Sequence, residues 1–131
     1  MTKIIEPTLP RVFKTAWFSK NAKKAGITDN ELCDAVKELI QGLWDADLGG
    51  NVYKKRLNEN RHRSIVITKT ATYWFFTFLF SKAERDNITD KELTGFKKLS
   101  KDYAILDDKA VGVLVTNKDL MEICNDCPKK I

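Results

Sequence analysis

No apolar stretch of this chain reaches the length of a membrane span, and Met1 to Pro10 lacks the apolar run of a signal peptide. The expectation is a cytoplasmic protein with no membrane partner. Histidine occurs once, as His62, and there is no Gly-rich phosphate loop, no nucleophile elbow and no His-Glu-x-x-His. Those absences exclude the P-loop, α/β-hydrolase and zincin chemistries. Acids are plentiful, yet no spacing marks out a two-metal carboxylate cluster, so no metal or other cofactor is expected. Cysteine is scarce: Cys33 falls inside a helical pattern, and Cys124 with Cys127 forms a Cys-x-x-Cys. Without a second pair or a nearby histidine that motif cannot complete a tetrahedral zinc site, and it does not open a helix after a strand as a redox motif does. Incidental free thiols in a reducing compartment are the expectation.

What the chain does have is one dominant run, Tyr73-Trp-Phe-Phe-Thr-Phe-Leu-Phe80, which carries no charge and no glycine. It is too short to cross a membrane and reads as a central strand buried on both faces. Lys82, Glu84, Arg85 and Asp86 follow it at once, where the strand leaves the core. A buried strand that delivers charges to its end can hold a reactive site rigidly. At 131 residues the whole chain is expected to form one domain, with residues 1–10 as an N-terminal extension.

The net charge of +5 is unevenly spread. Residues 11–24 carry Arg11, Lys14, Lys20, Lys23 and Lys24 with no acid; residues 51–69 carry Lys54, Lys55, Arg56, Arg61, Arg63 and Lys69 against Glu59 alone. Residues 28–47 are acidic instead. One basic and one acidic zone can steer a polyanion onto a defined face. A run of charge is also what any solvated face shows, and for residues 11–24 the two readings weigh equally.

Arg11 to Phe18 reads as a first strand, followed by a short helix over Lys20 to Ala25 with Ser19 as cap and Gly26 as stop. Ile27-Thr-Asp-Asn-Glu-Leu32 predicts a capping box (Thr28, Glu31) that opens an amphipathic helix. A turn at Leu48-Gly-Gly50 leads to a strand over Asn51 to Asn58. In it Val52, Lys54 and Arg56 share one face, and Tyr53, Lys55 and Leu57 share the other. After a loop at Glu59 to His62, a strand over Arg63 to Lys69 puts Arg63 with Ile65 and Ile67. Ile88 to Leu93 repeats the helix start of Ile27 to Leu32, and its helix runs through Phe96, Leu99 and Tyr103. A short helix from Asp107 and a strand near Leu120 to Cys124 complete an α+β domain: an antiparallel or mixed sheet flanked by N-terminal helices and a C-terminal helix. If the middle strands are neighbours, their cations converge on one surface. That surface can bind phosphate, and could cleave RNA without a metal by aligning the ribose 2′-hydroxyl and neutralising the transition state.

In the order of its blocks the chain resembles the RelE/HigB-like toxins of bacterial type II toxin–antitoxin systems. The resemblance rests on Asp47-Leu-Gly-Gly50, Lys54-Lys-Arg56 and Ser81-Lys-Ala-Glu-Arg-Asp-Asn-Ile88, and spans roughly residues 11–125. It implies a single RelE-like toxin domain and ribosome-dependent, metal-free cleavage of mRNA that blocks translation. It also implies an antitoxin partner. Carried over, it assigns catalysis to Arg63, Lys82, Glu84 and Arg85 and RNA binding to Lys54, Lys55, Arg56, Arg61 and His62. Three features depart from the family: its arginine between Lys and Glu is Ala83 here, its tyrosine near the next helix start is Thr89, and the Gly-rich loop common before the arginine is replaced by Asn58 to His62. The departures imply slow cleavage or another proton acceptor, Glu84 or His62. They also keep two further readings open, a non-enzymatic toxin that poisons DNA gyrase and a non-catalytic nucleic-acid-binding or partner-binding module.

Overall fold

The protein, a computed structural model, is described over residues 10–124. Its elements are β1 (Arg11–Thr15), α1 (Ala16–Ala25), α2 (Asp29–Ile40), β2 (Ala46–Gly49), β3 (Val52–Leu57), β4 (His62–Lys69), β5 (Tyr73–Ser81), α3 (Asp90–Ala104), α4 (Asp108–Thr116) and β6 (Leu120–Ile123). The six strands form one mixed sheet in the order β2-β3-β4-β5-β1-β6, with β1 parallel to β5 and the other neighbours antiparallel. The expected α+β architecture is therefore present. β5 is indeed central, and its aromatic run explains why: only a strand covered on both faces can bury that much apolar surface.

Each face of the sheet carries its own core. On one side Phe18 and Ala22 of α1 and Leu32, Ala35, Val36 and Leu39 of α2 meet Val12, Leu57, Val66, Trp74, Phe76 and Leu79. On the other, Tyr103 of α3 and Val111 of α4 meet Phe13, Val52, Ile65, Ile67, Phe75 and Phe80. Phe13, Phe18, Phe75 and Phe76 are fully buried, each side chain contributing about 1.5–3 kcal/mol. The phase of β5 depends on a bulge. Ile65 pairs with Phe78 and Val66 with Phe76, which skips Thr77, whose hydroxyl donates to the Ile65 carbonyl at 2.8 Å. The extra residue brings Phe78 onto the same side as Phe75.

Several local expectations are corrected. β1 stops at Thr15, which caps α1 by accepting from the Phe18 N–H, so Trp17 and Phe18 are helical and Ser19 is not the cap. Thr28 caps α2, but the box is not closed, because the Glu31 carboxylate accepts instead from the backbone N–H of Asn58. The box does close at α3, between Thr89 and Glu92. Ala46–Gly49, expected to lead into a turn, forms an edge strand, and the reversal falls at Gly50-Asn51. At Gly50 φ is +62°, and an added Cβ would lie 3.2 Å from the Lys97 side chain, so glycine serves both conformation and space there. The expectation of free thiols fails for two cysteines. Cys33 of α2 and Cys124 after β6 form a disulfide across 91 residues, because the sheet brings the end of β6 under α2. Cys127 lies outside the described residues. No described helix is long and apolar enough to cross a membrane.

Candidate nucleic-acid interface

One end of the sheet gathers most of the predicted residues. It is built from the β3–β4 turn and the turn that leaves β5, which are tied by the Lys82 N–H donating to the Arg61 carbonyl at 2.9 Å. Across this end the register sets Arg56 opposite Arg63, Arg63 opposite Phe80, and His62 opposite Ser81. Alternation then divides the side chains between faces. Lys54, Arg56 and Arg63 stand on the α3 side, and His62 and Lys55 on the α1/α2 side. Lys82, Ala83 and Glu84 form the exposed turn over the edge. Ser81 builds that turn: its hydroxyl accepts from the Ala83 N–H at 3.2 Å, and its carbonyl accepts from the N–H groups of Glu84 and Arg85.

The cations differ in how much of their charge is available. Lys55 is buried, with its ammonium 2.7 Å from the Leu43 carbonyl and 2.6 Å from Glu38. It corrects the expectation of an RNA contact, for its strand phase points it into the α2 core, where it needs these partners. Arg56 is exposed but clamped by Asp45, which takes its Nε at 2.5 Å and its backbone N–H as well. Arg85 donates two bonds of 3.0 Å to Glu92 and lies over the rings of Phe78 and Phe80. This geometry makes it a brace between the strand end and α3. Those hydrogen bonds, with one from the Thr89 backbone, hold the Glu92 carboxyl below the usual carboxylate range. Of the first basic segment, Arg11 pairs with Glu122 and Asp108, and Lys14 with Asp29, so both serve the fold. Among the described residues Lys54, Arg63 and Lys82 have no carboxylate partner.

Asn58 organises the β3–β4 turn, and sequence reasoning had missed it. With φ +55° it sits in the left-handed region that Asn tolerates, which is the signal that could have singled it out. Its side-chain oxygen accepts from the Arg61 guanidinium at 3.1 Å, and its amide nitrogen lies 3.1 Å from His62 Nδ1. Arginine only donates, so the oxygen must face Arg61 and the NH₂ must face His62. His62 Nδ1 is then an acceptor, and in the neutral ring the proton resides on Nε2. Arg61, in the loop expected between the two strands, is fastened to Asn58 by three hydrogen bonds, two from its side chain and one from its backbone.

Two clefts flank the His62–Ser81 pair. One, of about 360 Å³, is lined by Asn21 and Lys24 of α1 with His62, Ser81 and Glu84. The other, of about 490 Å³, is lined by Asn60, Arg61, His62, Ser81, Lys82 and Ala83. Asn21 and Lys24 belong to this site although the sequence reading did not place them there. The lip offers donors and cations, with the exposed carboxylates of Glu84 and of Glu59, 3.6 Å from the Arg61 guanidinium, among them. No group of three or more His, Cys, Asp or Glu among the described residues is arranged to hold a metal ion.

The family model described as RelE toxin of the RelE/RelB toxin–antitoxin system matches residues 10–123. No curated protein matches the chain. The match takes in every element from β1 to β6, and the chain belongs to the RelE toxin family, the toxin half of a toxin–antitoxin pair.

Proposed function

We propose that the protein is a metal-independent endoribonuclease that cuts mRNA on the ribosome and so blocks translation. In this reading residues 1–131 form a single toxin domain that acts in the cytoplasm until its antitoxin covers the lip of the sheet. The observation that carries it is the strand end itself: Lys82, a cation without a carboxylate partner among the described residues, lines one cleft with His62, and Glu84 lines the neighbouring cleft with the same histidine. Arg63, likewise without a carboxylate partner, starts from the opposite face and has its guanidinium at the carbonyls of Asn60 and His62, 3.1 and 3.3 Å away.

Glu84 removes the proton of a ribose 2′-hydroxyl held in line with the scissile bond. The 2′-oxygen attacks phosphorus, the P–O5′ bond breaks, and the products are a 2′,3′-cyclic phosphate and a 5′-hydroxyl protonated by water. Arg63 and Lys82 neutralise the charge that builds on the phosphoryl oxygens, where preorganised donors act most strongly. The Nε2–H of His62 donates to the same group. Lys54 and Arg61 hold flanking phosphates, a screened and sequence-tolerant contribution. Arg56 and Arg85 support the site through Asp45 and Glu92, and Lys55 supports the core. With Ala83 and Thr89 at two positions where the family carries functional side chains, this mechanism rests on fewer cations, and the expected rate is low.

Pulse labelling after induction tests the reading. Arrest of protein synthesis with fragmented transcripts is expected. Arrest of DNA synthesis with intact transcripts would replace it with a gyrase-directed toxin.

A further inference from the structure

We infer that Trp17 is a base-stacking platform, so that the site binds single-stranded RNA by one stacked base beside the reacting phosphate. The inference rests on the endoribonuclease reading above.

Trp17 stands in the first turn of α1, where β1 has just ended. Its ring is stacked on Phe78, with centroids 4.9 Å apart and planes 21° from parallel, and the residue keeps 46% of its surface exposed. One face of the indole is thus held while nearly half of the residue stays open to solvent. Phe78 in turn carries the Arg85 guanidinium 5.3 Å from its centroid and packs on Phe96, so the platform is braced from beneath. An exposed ring fixed at one face binds a nucleobase with little loss of rotamer freedom.

Position decides what this ring is for. Arg56 on β3, Arg63 on β4 and Phe80 on β5 form one row across the sheet end, on the side that also bears Phe78. Trp17 stands on Phe78, which pairs with Ile65, two residues along β5 from the Phe80–Arg63 pair. An aromatic face beside cations at one sheet end matches a nucleotide chain, whose charge and apolar surface alternate along its length. The same helix stripe carries on into the cleft: Asn21 donates to the Trp17 carbonyl at 2.9 Å, and Asn21 and Lys24 line the wall opposite His62, Ser81 and Glu84. Trp17 is therefore continuous with the proposed site, and its neighbours have the charge that RNA requires. Exposed apolar side chains elsewhere, such as Ile40 and Leu43, lack this setting.

The test is single-turnover cleavage of mRNA bound to programmed ribosomes, with one nucleotide at a time near the cut replaced by an abasic residue that keeps its 2′-hydroxyl. Trp17→Ala should slow cleavage of intact mRNA by about 5- to 150-fold, the span of one base–aromatic stack. One abasic position should cost wild type as much, and the two losses should not add. Trp17→Phe, which keeps a ring, should recover part of the rate. Additive losses at every position, or a Trp17→Ala enzyme as fast as wild type, would overturn the inference and leave the endoribonuclease reading standing. A Trp17→Ala variant that weakens only antitoxin binding would overturn it in the same way. If wild type cuts no mRNA, the endoribonuclease reading itself falls, and the stacking role with it. Trp17 is a surface residue, and circular dichroism melts of both variants confirm that the fold persists.

Discussion

Changing Asn58 tests the logic of the site most finely, because one side chain sets the chemistry of the single histidine. The Asn58 amide donates to His62 Nδ1 and accepts from Arg61. Asn58→Asp keeps the shape but offers His62 an oxygen, which only accepts, so the proton should move from Nε2 to Nδ1. Asn58→Gly keeps the backbone, since glycine adopts a φ of +55° freely, and removes the side chain altogether. With the bond from its NH₂ to the Ala25 carbonyl the side chain makes three hydrogen bonds, which at about 0.5–1.5 kcal/mol each bound the loss of stability at about 1.5–4.5 kcal/mol. For cleavage, His62→Ala sets the ceiling, about 10²–10³ in rate for a lost donor to the transition state. Asn58→Gly leaves the ring in place but unaligned and should cost about tenfold, the worth of one such hydrogen bond. Asn58→Asp should approach the ceiling. Because His62 is the only histidine, long-range ¹H–¹⁵N spectra report its tautomer without ambiguity. A wild-type ring with the proton on Nδ1 would refute the reasoning, as would an Asn58→Asp protein that changes tautomer yet keeps its full rate.

Arg63→Ala or Lys82→Ala should each lower cleavage by about 10²–10³ with the fold intact, whereas Arg61→Ala should only weaken RNA binding as salt rises. Growth assays of induced cells, with circular dichroism on the purified variants, check both. Lys55→Met should leave cleavage unchanged and shift only the melt, since the ammonium is spent on Glu38 and Leu43. Glu92 has a folded pKa below its unfolded one, so its contribution is present above the unfolded value and is lost as pH falls through the folded value. Urea melts over the acid range should show that loss in wild type and less of it in Glu92→Gln. Reduction of the Cys33–Cys124 bridge, which closes 91 residues, should cost up to about 4–5 kcal/mol. Denaturation midpoints that match with and without reductant would argue that no bridge forms in solution.

Local signals carried much of this fold, and long-range ones did not. Tyr73 to Phe80 announced the central strand because its composition admits no other burial. Thr89 with Glu92 and Thr28 before Asp29 announced two helix starts through side chains that satisfy backbone N–H groups close by. The phase of β3 and β4 placed Lys54, Arg56 and Arg63 on one face. Other features depend on partners far along the chain. Glu31 serves Asn58, 27 residues away, instead of its own helix. Lys55 is drawn inward by Glu38 and Leu43, and Cys33 by Cys124. No spacing rule reveals such pairs. The strand end was legible as a site from its charges, but the wall supplied by Asn21 and Lys24, and the place of Trp17 beside Phe78, appear only once α1 is packed.

Cleavage by a ribose 2′-hydroxyl, with protein cations and no metal, is the step on which the proposed function depends. The most direct measurement is the chemistry of the cut ends after purified toxin acts on ribosome-bound mRNA. A 5′-hydroxyl on one fragment and a 2′,3′-cyclic phosphate on the other are expected, and both should be absent with Arg63→Ala. A 5′-phosphate and a free 3′-hydroxyl would mean that water, not the ribose, attacked, and would contradict this mechanism.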